Sequence, residues 1–129
     1  MLGKQPGTRL TENVIHNVAA DPGEGGYGGW GIYLDEGSSY MEVEKNLVYS
    51  CGNQSFNIHY GEGNVIRNNI AALSGEGLVS PGIDKGETHA TGLYYNNIFL
   101  TKDKAPVYIE MQTPSHFYDN GNLMWSLTE

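Results

Sequence analysis

Apolar and polar residues alternate along the chain only in short stretches: Ile32-Tyr33-Leu34, Met41-Glu42-Val43, Val65-Ile66 and Val107-Tyr108-Ile109. Each stops within a few residues at Gly, Asn, Asp or Ser, the pattern of a short strand running into a turn. No window sustains the i, i+3, i+4, i+7 apolar spacing of an amphipathic helix. The pattern predicts an all-β protein.

The strands recur at an interval. An asparagine precedes the apolar run at Asn17, Asn46, Asn69, Asn97 and Asn122, with gaps of 29, 23, 28 and 25 residues. A second phrase keeps nearly the same spacing. "IYLDEG" at 32–37 lies 26 residues before "IHYGEG" at 58–63, which aligns Tyr33 with His59 and Glu36 with Glu62. Leucine-rich repeats are excluded by the missing Leu skeleton, and propeller blades by their length of about 40 residues. A parallel β-helix remains, with coils stacked about 4.8 Å apart. The five asparagine phrases predict about five coils in one domain over 1–129. Asparagine suits the corners, because it tolerates left-handed backbone and its amide bonds to nearby groups. Stacked on successive coils, the amides can bond to one another as a ladder.

The phrases "GWGIYLDEGSS" (29–39), "NLVY" (46–49), "FNIHYGEGNVIRNNIAA" (56–72), "ETH" (87–89), "YNNIF" (95–99) and "NLMW" (122–125) resemble the right-handed parallel β-helix proteins of the pectate-lyase-like superfamily. They are most similar to bacterial carbohydrate-active members classed as glycoside hydrolases. The resemblance spans about Thr8 to Trp125. It implies a right-handed coil, a polysaccharide or oligosaccharide ligand, and a secreted or periplasmic bacterial parent. Family members are several hundred residues long with an N-terminal capping element. This chain starts inside a coil, so it reads as a fragment of a longer β-helix without the cap. The resemblance departs at Asn57 and Gly63, where the family pattern carries His and Glu.

Composition narrows the partners. Of 129 residues, 18 are Gly, about double an average share. The formal charge of −8 repels nucleic acid and anionic membranes, so neither is expected as a partner. No apolar run is long enough for a signal peptide or a bilayer span, and the chain reads as soluble. The single Cys51 cannot form an internal disulfide and is expected to be a buried thiol. Open coil ends would expose strand edges and apolar side chains, so self-association through an end or a face is expected.

The candidate chemistry follows from the register. Stacking Glu36 on Glu62, with Asp35 beside them, brings carboxylates to the spacing of a retaining glycosidase, about 5–5.5 Å. The catalytic candidates are therefore Asp35, Glu36 and Glu62, with Asp35 and Glu36 raised further by their place in the resembling phrase. Tyr33, Trp30, Tyr60, His59, Glu87 and His89 are the substrate-binding candidates, because sugar rings stack on aromatic faces and imidazoles bind hydroxyls. No resident cofactor is expected. Histidines and carboxylates of neighbouring coils make a divalent metal such as calcium a weaker alternative, since no tight His pair exists. Two other readings stand beside a hydrolase. One is a non-catalytic module binding glycan or another copy. The other is a polysaccharide lyase, for which only Arg67 and Lys85 are available as central bases.

Overall fold

The computed structural model describes residues 3–82, 88–109 and 117–127. It is a parallel β-solenoid of about three turns, with one short 3₁₀ turn and no α-helix among the described residues. The first sheet stacks β1 (Arg9–Thr11), β6 (Glu42–Glu44), β9 (Asn64–Arg67), β12 (Gly92–Tyr95) and β14 (Phe117–Asn120). The second stacks β2 (Val14–His16), β7 (Leu47–Tyr49), β10 (Ile70–Ala72), β13 (Ile98–Lys102) and β15 (Leu123–Leu127). A third sheet contains β5 (Ile32–Leu34), β8 (Phe56–Ile58) and β11 (Val79–Pro81). All pairs within these sheets are parallel and one rung apart. An antiparallel excursion, β3 (Ala20–Asp21) and β4 (Tyr27–Gly28), interrupts the first turn around Pro22–Glu24. Two sheets have five strands and the third has three, so the described residues complete about three turns rather than the five coils expected from the asparagine count.

Inward side chains stack by register. Leu10, Val43, Ile66 and Tyr94 form one column, and Ile15, Val48, Ala71 and Phe99 a second. Ile32, Phe56 and Val79 close the third side, and Cys51 is buried with them. The backbones approach closely where coils turn: a Cβ on Gly75 would stand 2.2 Å from the Gly52 carbonyl oxygen, so only glycine fits there.

First and second sheets are joined by a two-residue turn, and this turn carries the ladder. Its first residue is left-handed at Glu12, Lys45, Asn68, Asn96 and Gly121. Its second residue is always asparagine: Asn13, Asn46, Asn69, Asn97 and Asn122. Each of the first four Nδ2 groups donates to the next Oδ1, at 2.9, 3.0, 3.1 and 2.9 Å. The same Oδ1 atoms accept the backbone N–H of the preceding asparagine at 2.8–3.1 Å. The second Nδ2 hydrogen of Asn46, Asn69, Asn97 and Asn122 bonds a carbonyl one rung back. The expected ladder is present with one correction. Its first member is Asn13, not Asn17. Asn17 is a left-handed residue at the following corner, in the position that Ser50 and Leu73 take on later rungs. The left-handed conformation falls on the residue before each ladder asparagine and not on the asparagine itself.

Candidate functional site

The third sheet and the corner after it gather most of the sequence candidates. The backbone register is 24 residues, two fewer than the phrase alignment: Tyr33 pairs with Asn57 and Leu34 with Ile58. Continuing past the strands, Asp35 meets His59 and Glu36 meets Tyr60. Asp35 Oδ1 lies 2.8 Å from His59 Nδ1, and Tyr60 donates its hydroxyl to Glu36 Oε2 at 3.0 Å. Tyr33 still lies beside His59, with ring centroids 6.4 Å apart.

The aromatics form a continuous file along this face. Tyr27 meets Trp30 edge-on at 5.0 Å, Trp30 lies 4.6 Å from Tyr33, and His59 packs edge-on against Tyr60 at 4.7 Å. Trp30 is fixed by its indole N–H, which donates to the buried Gln54 Oε1 at 2.8 Å. Gln54 is held in turn by its own amide, which donates to Glu76 at 2.8 Å. The sequence reading missed Tyr27 and Gln54. Tyr27 sits in "GEGGYGGWG", whose glycines conceal that the segment folds back as a hairpin and lays an aromatic ring beside Trp30. Gln54 carried no sequence signal beyond its place before a strand.

Hydrogen bonding sets the electrostatics. Asp35 accepts from His59, from the Tyr33 hydroxyl and from the Glu36 backbone N–H, and these bonds, His59 first, hold its carboxyl below the usual aspartate range. Tyr33 is pushed upward, first by burial and then by its bond to the Asp35 carboxylate. With Nδ1 turned to Asp35, the His59 Nε2 is the ring nitrogen left for another partner.

Glu62 faces a different neighbour. Its carboxylate bonds the Tyr40 hydroxyl, which raises the Tyr40 phenol, and its backbone N–H bonds Ser39 Oγ at 2.9 Å. Glu62 and Glu36 both line a cleft of about 320 Å³ with Lys4, Tyr60 and His89. His89 is anchored there by Nε2 at 3.0 Å from the Gly61 carbonyl oxygen. Glu87 and Lys85 lie outside the described residues. Arg67 is committed to a structural network, bonding Glu44 at 3.0 Å and Glu42 at 3.2 Å. It is therefore not positioned as a free base for lyase chemistry.

Among the described residues one donor set could hold a metal: ligand atoms of Asp35, Glu36 and His59 lie within 4.8 Å of one another, and all three residues are exposed. Two of those groups already bond each other and the third bonds Tyr60. No helix among the described residues is long and apolar enough to cross a membrane. No protein-family profile, curated protein or solved structure matches the chain.

Proposed function

We propose that this chain binds carbohydrate on the face built around Trp30, Tyr33, His59 and Tyr60, as a module of a right-handed, pectate-lyase-like β-helix with five coils. The observation that carries this reading is the aromatic file, bordered by hydrogen-bonding groups. Trp30 and Tyr33 are half-buried against each other, and the ring surface they leave exposed would meet sugar C–H groups. Asp35 and Glu36 accept from sugar hydroxyls, and His59 Nε2 supplies a further hydrogen-bonding group. The acidic balance of the chain favours neutral or basic glycans over polyuronates.

Binding without turnover fits the geometry better than hydrolysis. A glycosidase pairs an ionised carboxylate with a protonated one. Asp35 is held toward the ionised form by His59 and Tyr33, so it suits the role of nucleophile or base. It cannot be the proton donor at the same time. The side chains of Asp35 and His59 are about half exposed, and such an open face does not exclude water from a reacting centre. A hydrolase remains the second reading, on the strength of the adjacent Asp35 and Glu36, with Glu62 one corner away.

The test is titration calorimetry against a panel of neutral, amino and acidic oligosaccharides, together with an assay for released reducing ends. Trp30→Ala should weaken binding by about tenfold or more, the scale of about 1.4 kcal/mol for a stacked aromatic. Absence of binding across the panel, or unchanged affinity in a folded Trp30→Ala, overturns the reading. Turnover lost in both Asp35→Asn and Glu36→Gln favours the hydrolase.

A further inference from the structure

The aromatic file runs on into the neighbouring cleft. Tyr60 packs edge-on against His59 and donates its hydroxyl to Glu36 at 3.0 Å. The same Tyr60 lines the cleft that also holds Glu36, Glu62, His89 and Lys4. The cleft is unbalanced in charge. Among the described residues neither Glu36 nor Glu62 forms an ion pair, and each carboxylate instead accepts a tyrosine hydroxyl, from Tyr60 and Tyr40. Arg9 and Arg67 are turned to Glu42 and Glu44 on the first sheet. Lys4 is the only lysine or arginine in the described lining, and it lies exposed. Its Nζ stands 5.7 Å from the centroid of the Tyr40 ring, within the range of a cation–π contact. The chain thus places a primary ammonium of its own in this cleft, over a tyrosine ring and beside carboxylates that no cation neutralises.

We propose that the glycan bound on this face carries free amines, and that one sugar ammonium seats in the cleft at Glu36, Glu62 and Tyr60, displacing the Lys4 side chain. This rests on the carbohydrate reading above and narrows its ligand from neutral or basic glycans to amino sugars. A carboxylate receives an ammonium through charge-assisted hydrogen bonds, and a tyrosine face receives it through the ring quadrupole. The cleft of about 320 Å³ lies at the small end of ligand sites, so it takes one sugar unit and leaves the next units to Tyr33 and Trp30. N-acetylation of the same sugar removes the charge while keeping the ring faces that stack.

Titration calorimetry at about pH 6, where primary amines are protonated, compares a glucosamine trisaccharide with its fully N-acetylated form. The amine form should bind about tenfold tighter or more, and the ratio should shrink at high salt. Glu36→Gln and Glu62→Gln should each reduce that ratio severalfold, and Lys4→Met should increase it. Glu12→Gln removes one charge at the corner between the first two sheets and should leave the ratio as it is. Circular dichroism checks that each variant keeps the parent's fold. An N-acetylated form that binds as tightly as the amine form overturns the proposal, while its weakening by Trp30→Ala would leave the carbohydrate reading standing. Failure of both trisaccharides to bind also overturns the proposal, and the wider oligosaccharide panel then decides the carbohydrate reading. A preference that survives in Glu36→Gln and Glu62→Gln, or that Glu12→Gln reduces as much, overturns it too, because net charge and not the cleft would then be the cause.

Discussion

Asn69 and Asn97 are joined side chain to side chain, Nδ2 of the first donating to Oδ1 of the second at 3.1 Å. Both are buried, and Asn69 uses all of its polar atoms. Asn69→Ala would strand the Asn46 backbone N–H and one Asn46 Nδ2 hydrogen, and would take one donor from the Asn97 Oδ1 and one from the Val43 carbonyl. At about 1–3 kcal/mol for each buried group left unsatisfied, with partial relaxation, the expected loss is about 3–5 kcal/mol in urea unfolding. Asn17→Ala, at an exposed corner outside the ladder, should cost only about 1 kcal/mol for its left-handed backbone. Equal losses at the two positions would contradict the ladder assignment.

The Asp35–His59 pair makes a pH prediction. Folded Asp35 ionises at lower pH than it would in the unfolded chain. Its pairing therefore favours the folded state above the ordinary aspartate range, and the contribution disappears as pH falls through the folded value. Carboxyl-carbon NMR should show an Asp35 midpoint below about 3.9, and His59→Ala should move it back upward. An unchanged midpoint in the variant would remove His59 as the cause.

Glu44 supplies a second, structural case. Its nearly buried carboxylate bonds both Arg9 and Arg67, and Arg9 leads in lowering its pKa, with Arg67 adding to the effect. Glu44→Gln should reduce stability at neutral pH, and the difference from the parent should close on acidification, as the parent's own Glu44 takes up its proton. Urea midpoints measured across pH 7 to 3 check the sign, and a gap that widens on acidification would refute it.

Tyr94 is buried, and its hydroxyl has no hydrogen-bond partner among the described residues. Its ring instead packs edge-on against Tyr108 and Phe117. Removing an unsatisfied hydroxyl without changing ring shape should be neutral or stabilising by up to about 1 kcal/mol. Thermal unfolding of Tyr94→Phe measures this, and a loss of stability beyond that size would reveal a partner for the hydroxyl.

The winding was legible in the sequence because it is written in a repeat. Side chains that must stack have to recur, so the asparagines at 46, 69, 97 and 122 and the alternating aliphatics showed the rungs directly. The first rung was harder. "NVIHNV" offers two asparagines before apolar residues, and only the two-residue turn selects Asn13 over Asn17. The site was legible in its residues but not in its pairing. Matching Glu36 to Glu62 followed the similarity of two phrases, whereas the strands align by backbone bonding, two residues out of step. Asp35 consequently found His59, and Glu36 found Tyr60. The Tyr27 contribution was hidden because a glycine-rich segment carries no hydrophobic period from which to read a hairpin.

The corner between the first two sheets has constant length on every rung, while the remaining connections vary. Asn46 and Asn69, 23 residues apart, occupy equivalent places in that corner. Excising 46–68 would splice Lys45 directly onto Asn69, and Lys45 already has the left-handed backbone the junction demands. The architecture is thus modular at a defined seam, and the protein's length can be edited one storey at a time.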